Sequence, residues 1–275
     1  MTVTVTATDL LLISAQRTST ALLLTEAARR RGMATRVLDG SRPADSVVRP
    51  GEAVHWHGGP RLADQVARLL GSGLGLGLLE PSDGWLAGLP WEFTRRRITL
   101  EPFSAVYREV FRPVFLKPPS DKSFPPGVYG DDPDRGLSDL ARTVPPHTPV
   151  LVSDPVTFTA EYRLFVLDGR VVTGSRYAVY GRLDPGPLTP EAQRFGEELL
   201  AAVGDTLPSG VVVDVGTVQG TGWAVVEANM AWFAQCYAAD PDPVLDVVLR
   251  AAGPRERVAE RDRSFLRVTS PTGSG

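Results

Sequence analysis

The residues best suited to chemistry begin with two lysines. Only two of the chain's 29 basic residues are lysine, namely Lys117 and Lys122. Lys117 ends an apolar run, and Lys122 follows in a loop rich in Ser, Pro and Gly. Lysine is a compact point charge on a flexible stem, whereas arginine is a planar fork. A lysine at a strand end followed by one in a loop is typical of a phosphate site. Two surface lysines in an arginine-rich chain are the alternative.

A second candidate group lies in a predicted hairpin over residues 209–230. Asp214 interrupts one apolar arm, while Glu227 and Asn229, the only asparagine, end the other. Residues two apart in a strand point to the same side, and Asp214 on the facing strand can lie beside them. Carboxylate and amide oxygens suit Mg²⁺ ions that bridge phosphates. The spacing therefore predicts a magnesium site, and hydrogen-bonded acids at a polar hairpin end are the alternative.

An earlier predicted hairpin, over residues 160–181, turns at Asp168-Gly169, which is a strong two-residue turn signal. Glu161 and Arg163 share one side of its first arm, and Arg176 lies in its second arm. Arginine suits bidentate contact with a phosphate or a carboxylate. A cross-strand ion pair is the alternative reading.

Composition excludes several classes of protein. The 275 residues carry a net charge of −3, so we expect no nucleic-acid partner. Cys236 is the only cysteine, which excludes an internal disulfide and a cysteine-based zinc site. The first ten residues lack the pattern of a secretory signal, and no apolar run reaches the length of a membrane helix. We therefore expect a cytoplasmic protein without a membrane partner.

Three further motifs are weak. The glycine-rich run over residues 71–77 lacks the lysine and hydroxyl of a P-loop and precedes a strand. His55 and His57 share one side of a predicted strand, but no third ligand lies nearby in the sequence, so packed or surface histidines are favoured over a metal site. The segment 14–19 does not provide the G-x-G-x-x-G turn of a dinucleotide-binding oxidoreductase.

The candidate residues need elements that position them. An α/β unit is predicted first, because apolar strands alternate with helices; its strands cover 10–14, 34–40, 52–58 and 74–80, and its helices cover 18–31 and 61–70. A connection over 81–101, a brief helix over 104–111 and a domain boundary near residue 110 follow. The C-terminal part is predicted as a strand over 149–158, the two hairpins, and helices over 191–203 and 240–252. After Gly253 we expect a flexible tail.

From about residue 111 to 250 the sequence resembles an ATP-grasp domain, and it is most similar to the clade named for two arginines and one lysine. The resemblance rests on VFLKP, LVSDPV, EYRLFV, SRYAVY, VVVDVG and VVEAN. It implies an N-terminal α/β domain over 1–110 of the kind that precedes ATP-grasp domains. It further implies a two-lobed α+β ATP-grasp domain with antiparallel sheets over 111–252 and a tail over 253–275.

The resemblance also implies roles for individual residues. Lys117 would contact the α-phosphate side of ATP, and Lys122 would cover the β- and γ-phosphates and assist catalysis. Arg163 and Arg176 would be the clade's arginines, near the γ-phosphate or the acyl intermediate. The remaining assignments are Ser153, Asp154 and Val156 along the adenine hinge, Glu161 at the ribose, and Asp214, Glu227 and Asn229 as ligands of Mg²⁺.

Two departures from the family pattern bear on these roles. Asp154-Pro155 stands where many ATP-grasp enzymes have Glu-Lys, which affects the adenine contacts. Many ligases have an arginine two residues before the metal-binding aspartate, and this chain has Val212 there. We therefore expect Arg176 to supply that arginine from another strand.

The implied function is ATP- and Mg²⁺-dependent ligation of a carboxylate to an amine through an acylphosphate. Its partners would be small-molecule or peptide carboxylates and amines, and the protein could form a homodimer. A small-molecule kinase using the same ATP site is the second reading, and a non-catalytic nucleotide-binding module is the third. The sequence does not identify the two substrates, because acceptor pockets are shaped by variable loops.

Overall fold

The computed structural model describes residues 2–6, 8–16, 18–39, 47–69, 75–109, 113–119, 124–130 and 137–268. The strands in these ranges are β1 (Asp9–Ser14), β2 (Ala34–Leu38), β3 (Ala53–His57), β4 (Leu76–Leu78), β5 (Ile98–Pro102), β6 (Val114–Lys117), β7 (Gly127–Tyr129), β8 (Pro149–Ser153), β9 (Phe158–Leu167), β10 (Arg170–Val179), β11 (Arg182–Pro187), β12 (Gly210–Val218), β13 (Gly222–Asn229) and β14 (Ala252–Pro254). The helices are α1 (Ser19–Arg30), α2 (Pro60–Leu69), α3 (Trp91–Thr94), α4 (Phe103–Glu109), α5 (Leu137–Leu140), α6 (Pro190–Val203) and α7 (Pro241–Ala251). None of the helices within the described ranges has the length and apolar character needed to span a membrane.

The N-terminal unit is a parallel sheet in the order β2-β1-β3. Strand β1 is buried along its whole length, as its apolar run predicts. Helix α1 connects β1 to β2, and the Thr18 hydroxyl caps it by accepting a hydrogen bond from the amide of Ala21 at 3.1 Å. The predicted fourth strand does not join this sheet: β4 pairs instead with β14 in a two-stranded antiparallel ribbon.

Two antiparallel sheets form the rest of the molecule, as expected of an ATP-grasp fold. One has four strands in the order β5-β8-β6-β7, and the other has five in the order β11-β10-β9-β12-β13. Both predicted hairpins belong to the larger sheet. At the first turn Asp168 and Gly169 have φ angles of 51° and 74°, which is the left-handed conformation that this dipeptide favours.

Three strands of these sheets, β5, β7 and β11, were not predicted from the sequence, and β7 is only three residues long. Strand β5 lies in the segment expected to be a connection, before the boundary expected near residue 110, yet it pairs with β8 of the four-stranded sheet. Strand β11 is an edge strand in which most residues are exposed. The β5 sequence ITLEP alternates between apolar and polar residues, but it is only five residues long and follows three arginines. The β11 sequence RLDPGP contains Asp, Gly and two Pro, which are typical of turns. Residues 110–112, at the expected boundary itself, lie outside the described residues.

The five-stranded sheet is covered differently on its two faces. Helix α7 and the N-terminal unit pack on one face, where Phe165, Leu167 and Val212 join the core of that unit. Helix α6 packs on the other face, against a separate cluster that includes Leu164 and Val213. We call these the α7 face and the α6 face.

The segment expected to fray after Gly253 is packed as far as Arg267. It forms β14 and two short 3-10 segments, and Asp262 is fully buried. The Asp262 carboxylate accepts hydrogen bonds from the amide of Ser209 at 2.8 Å and from its hydroxyl at 2.5 Å. Arg267 pairs with Asp64 and with Glu80, at 2.7 Å each. These contacts tie the segment to both parts of the molecule.

Candidate active site

A row of charged side chains crosses the α7 face of the five-stranded sheet. Arg163 on β9 lies directly opposite Asp214 on β12, and Asp214 lies directly opposite Glu227 on β13. Lys117 reaches the row from the end of β6 in the four-stranded sheet. The order along the row is therefore cation, acid, acid, cation, assembled from four strands and both sheets.

Hydrogen bonds hold this row together. The Arg163 guanidinium donates to both carboxylate oxygens of Asp214, through Nε at 2.9 Å and Nη2 at 2.7 Å. The Lys117 ammonium donates to Oε2 of Glu227. The Asn229 amide, as assigned, donates to Oε1 of Glu227 at 2.6 Å and to Oδ2 of Asp214 at 3.4 Å. Asn229 thus lies within hydrogen-bonding distance of both acids among the predicted metal ligands.

Two tyrosines and Glu161 extend the site beyond Arg163. The rings of Tyr177 and Tyr237 stack with centroids 5.3 Å apart. The Arg163 guanidinium carbon lies 5.5 Å from the first ring centre and 5.3 Å from the second. The Tyr177 hydroxyl donates to Glu161 at 2.8 Å. Neither tyrosine was singled out from the sequence, because a tyrosine in a strand or a loop gives no signal of such a contact.

Burial and charge pairing shift the pKa values of the two acids in opposite directions. Burial raises the pKa of Asp214 above its usual value, and the contact with Arg163 only partly offsets this. Burial also acts to raise the pKa of Glu227, but the charge and hydrogen bond of Lys117 outweigh it and lower that pKa below its usual value. Glu227 is therefore the acid whose negative charge the surroundings favour.

The donor set of the row fits a hard divalent cation. Two carboxylates and one amide oxygen within a few ångströms are ligands that Mg²⁺ accepts, with water and phosphate oxygens completing the set. The described residues contain no group of three or more His, Cys, Asp or Glu that could hold a metal ion. A site made of Asp214, Glu227 and Asn229 would thus depend on oxygens from a bound phosphate.

A cavity of about 880 Å³ opens beside this row. Arg163, Glu227 and Asn229 line it on one side. The opposite side is formed by the ends of the parallel strands and the residues that follow them: Ser14, Ala15, Gln16, Leu38, Asp39, Gly59 and Pro60. The cavity is large enough for a nucleotide or a drug-sized ligand, since such pockets measure roughly 300–1,000 Å³.

The adenine-hinge residues lie where β8 ends. Ser153 is the last residue of β8 and is buried, while Val156 is half-buried. The Asp154 carboxylate accepts a hydrogen bond from the amide of Arg97, and the Asp154 amide donates to the Arg97 carbonyl, both at 3.1 Å. These two hydrogen bonds join the predicted hinge to Arg97, the residue before β5. The assignment of the hinge to adenine stays a prediction.

The structure does not bring all predicted site residues together. Arg176 lies opposite Tyr162 in the register, on the α6 face, and pairs with Asp184 at 3.0 Å. We expected Arg176 to lie beside Asp214, the predicted metal-binding aspartate. In the structure Arg163 lies there instead. Lys122 lies outside the described residues, as do residues 71–74 of the glycine-rich run.

His55 and His57 are packed residues. Nδ1 of His55 lies 3.0 Å from the carbonyl of Leu249, and Nε2 of His57 lies 3.4 Å from the carbonyl of Ala234. Both imidazoles are buried, and burial lowers the pKa of His57 to about 4. They join the N-terminal unit to α7 and to the segment after β13.

Comparison with known proteins gives a family and a set of similar folds. The matching family, over residues 93–247, is the second family of ATP-grasp domains in the clade named for two arginines and one lysine. The solved structure of D-cycloserine synthetase DcsG is 15% identical, with a TM-score of 0.56 over 88% of this chain and 98% of that one. The D-alanine–D-alanine ligase of Bacillus anthracis is 14% identical, with a TM-score of 0.53 over 88% and 96%.

A RimK domain ATP-grasp protein from Sphaerobacter thermophilus is also similar in fold. It is 20% identical, with a TM-score of 0.50 over 88% of this chain and 99% of that one. No curated protein matches the sequence significantly. At these identities the structures establish the fold, while the family match extends over more than half of the chain, from just before β5 into α7.

Proposed function

Since the chain belongs to this second family of the two-arginine, one-lysine ATP-grasp clade, we propose that it is an ATP-dependent ligase that joins a carboxylate to an amine. The observation that carries the proposal is the row Lys117, Glu227, Asp214 and Arg163 beside a cavity of about 880 Å³. The row combines cations for phosphate oxygens with acids for a divalent metal. Both are needed to transfer a phosphoryl group.

The two cations have donors to spare. Lys117 uses one of its three N–H groups on Glu227, and Arg163 uses three of its five on Asp214 and on the carbonyl of Gln235 at 3.4 Å. Counting the partners in the described residues, two N–H groups remain on each side chain. They can bind phosphate or acyl oxygens without giving up the contacts that orient them.

Asp214, Glu227 and Asn229 are the residues proposed to hold Mg²⁺. When bound, the metal would supply positive charge that stabilises the transferring phosphoryl group. In the protein itself, Arg163 and Asn229 orient the Asp214 carboxylate, and Lys117 and Asn229 orient that of Glu227. These contacts fix the acids before a ligand arrives, which reduces reorganisation on binding.

The reaction follows from these parts in two steps. A substrate carboxylate oxygen attacks the γ-phosphorus of ATP, and the bond between that phosphorus and the β-phosphate oxygen breaks. The products of this step are ADP and an acylphosphate. An amine nitrogen then attacks the acyl carbon, phosphate leaves, and the amine loses a proton as the amide forms. Arg163, which lines the cavity beside the acids, is proposed to bind the oxygens that gain negative charge. Lys122 is proposed to cover the β- and γ-phosphates.

The proposed substrates are small-molecule or peptide carboxylates and amines. D-Alanine–D-alanine ligase and D-cycloserine synthetase, which share the fold, carry small-molecule substrates or products in their names. The cavity in this chain joins the ATP-grasp sheet to the parallel strand ends, where both substrates could meet the γ-phosphate. A cytoplasmic location and a homodimer stay predictions, which fractionation and sedimentation would test.

An ADP-release screen tests this function. Purified protein is mixed with ATP, Mg²⁺ and pools of amino acids and short peptides, and any active pool is examined by mass spectrometry. A ligase gives a product equal in mass to the two substrates minus water. A substrate that gains only a phosphoryl group would identify a kinase, and nucleotide binding without ADP release would identify a binding module.

Glu227→Gln supplies the internal test of the site, because it removes the charge and keeps the shape. We expect ADP release to fall by about 10³-fold, in line with the loss of one preorganised electrostatic group. Glu198→Gln on the exposed surface of α6 is the matched control, since its side chain is 63% exposed. Unchanged ADP release in Glu227→Gln would refute the site assignment.

A further inference from the structure

Strand β13 changes the face on which it presents its side chains. Val225 lies opposite Val215 and belongs to the apolar cluster of the α6 face. Glu227 lies opposite Asp214, on the α7 face. Residues two apart in a regular strand share a face, so these two cannot belong to one uninterrupted strand. The register shifts between them, with Val226 as the extra residue of a β-bulge.

This bulge decides whether the acids meet. Without it, Glu227 and Asn229 would follow Val225 onto the α6 face, away from Asp214 and from Lys117. Strand β13 is at the edge of the sheet, in the order β11-β10-β9-β12-β13. Its outer carbonyl groups therefore have no neighbouring strand to bind them, and a bulged edge needs another partner to stay in one conformation.

Arg96 provides that partner. Its Nη1 donates to the carbonyl of Val225 at 2.8 Å, and its Nη2 to the carbonyl of Val226 at 3.4 Å. The same Nη1 donates to the carbonyl of Thr94 at 3.0 Å, which links the bulge to α3. The guanidinium carbon also lies 5.3 Å from the ring centre of Phe158. One side chain thus binds two consecutive carbonyl groups at the bulge.

The burial of Arg96 indicates that this contact is more than incidental. The residue is 7% exposed, whereas its neighbours Arg95 and Arg97 are exposed. Within the described residues it takes part in no ion pair, so backbone carbonyls are its acceptors. Burial lowers its pKa to about 10, a sign that burying the charge is unfavourable by itself. Burying a cation without a carboxylate partner costs free energy, and other interactions of the folded protein have to offset that cost.

We propose that Arg96 is a positioning residue that holds the Val226 bulge and so places Glu227 and Asn229 on the face of Asp214. The inference rests on the proposed function, because it concerns the geometry of the proposed metal ligands. The hydrogen bonds of Arg96 go to the carbonyl groups of Thr94, Val225 and Val226, and not to the acids. Arg96 acts through the backbone of β13, as residues behind metal ligands do when they orient them.

Binding of Mn²⁺ in the presence of a non-hydrolysable ATP analogue tests the proposal directly. Mn²⁺ serves as a paramagnetic substitute for Mg²⁺, and electron paramagnetic resonance measures its dissociation constant without turnover. We expect Arg96→Met, which keeps the stem and removes every donor, to weaken Mn²⁺ binding by about 10- to 100-fold. Arg96→Lys, which keeps the charge but cannot span two carbonyls, should fall between. Arg95→Met, with an exposed side chain, is the matched control.

Amide hydrogen exchange and thermal unfolding separate positioning from general stability. We expect faster exchange over residues 222–229 in Arg96→Met, while α6 keeps its protection. All binding is measured well below the unfolding midpoint of each variant. A lower midpoint with Mn²⁺ affinity within twofold of the unchanged protein would overturn the proposal and leave Arg96 a structural residue. If Arg96→Met does not fold, Arg96→Lys decides by the same criterion.

The two proposals fail in distinguishable ways. If the unchanged protein binds no Mn²⁺ with the nucleotide analogue, the metal site of the proposed function is refuted, and the inference about Arg96 falls with it. If the unchanged protein binds Mn²⁺ and Arg96→Met binds it equally well, only the inference about Arg96 is refuted.

Discussion

The two faces of the five-stranded sheet bury different kinds of side chain, although the same strands supply both. The α7 face carries Arg163, Asp214 and Glu227 next to a cavity. The α6 face carries an apolar cluster packed against α6, including Leu164 and Leu199. Because alternate residues point to opposite faces, chemistry and packing are separated within single strands. Substitutions on the two faces should therefore have separable effects.

The largest effect is expected from Arg163→Met on the α7 face. This change leaves the buried Asp214 carboxylate without its cation and removes donors from the cavity. We expect ADP release to fall by about 10³-fold and the free energy of unfolding to fall by about 3–5 kcal/mol, as when one partner of a buried pair is lost. Steady-state kinetics and urea unfolding measure the two losses.

Arg176→Met is the comparison for that variant, because the resemblance implied similar roles for both arginines. The Arg176 guanidinium lies on the α6 face and pairs with the exposed Asp184. We expect its loss to lower ADP release by less than tenfold and stability by at most about 1 kcal/mol, as for other surface pairs. Equal losses in both variants would contradict the division between the faces.

Leu199→Ala tests the α6 face alone. Leu199 is fully buried in α6, so removing its side chain leaves a cavity and should lower the free energy of unfolding by about 2–5 kcal/mol. We expect ADP release and its dependence on Mg²⁺ to stay within twofold below the unfolding midpoint. Leu183→Ala, at a residue that is 72% exposed, is the control. A large loss of activity at normal folded content would show that the faces are coupled.

Acid should weaken the packing on the α7 face before that on the α6 face. His57 lies in the N-terminal unit, is 3% exposed, and burial lowers its pKa from 6.5 to about 4. The unfolded chain binds the proton more tightly, so this contribution to stability is complete above pH 6.5 and is lost as the pH falls toward 4. The loss should approach about 3 kcal/mol near pH 4.

His57→Gln removes this titration and keeps a polar side chain of similar size. The difference in unfolding free energy between the unchanged protein and the variant should shrink or reverse as the pH falls from 7 to 4. Urea unfolding at each pH measures that difference, and hydrogen exchange at pH 5 should show α7 opening before α6. A difference that does not change with pH would refute the assignment to His57.

A smaller effect than that of Arg163→Met is expected from Tyr177→Phe at the edge of the charged row. The ring stays and can still stack on Tyr237, but Glu161 loses the hydrogen bond at 2.8 Å. We expect a loss of about 1.5–3 kcal/mol in stability, typical of a hydrogen bond to a charged group. If Glu161 holds the ribose as predicted, the Michaelis constant for ATP should rise while that for the carboxylate does not.

Much of the local structure and of the site was predictable, because short-range patterns determine it. The first helix and the Asp168-Gly169 turn depend on local sequence, and both form as the sequence indicates. The predicted ligands Asp214, Glu227 and Asn229 do come together, and Lys117 does end a strand beside them. Their roles as ligands stay predictions. Short strands such as β5 and strands rich in turn-forming residues such as β11 were not found.

The sequence alone determined the set of charged residues and most of the strands that carry them. Residue type, and the alternation of apolar and polar residues along a strand, are properties of the chain itself. Only the tertiary structure decided which charges meet. The register places Arg163 rather than Arg176 beside Asp214, and one extra residue, Val226, moves Glu227 to the same face. Within one regular strand, the alternation of side chains determines which residues share a face. Between strands, the shared face depends on pairing and on bulges. Here we propose that it also depends on Arg96, which is distant in sequence and binds the bulge.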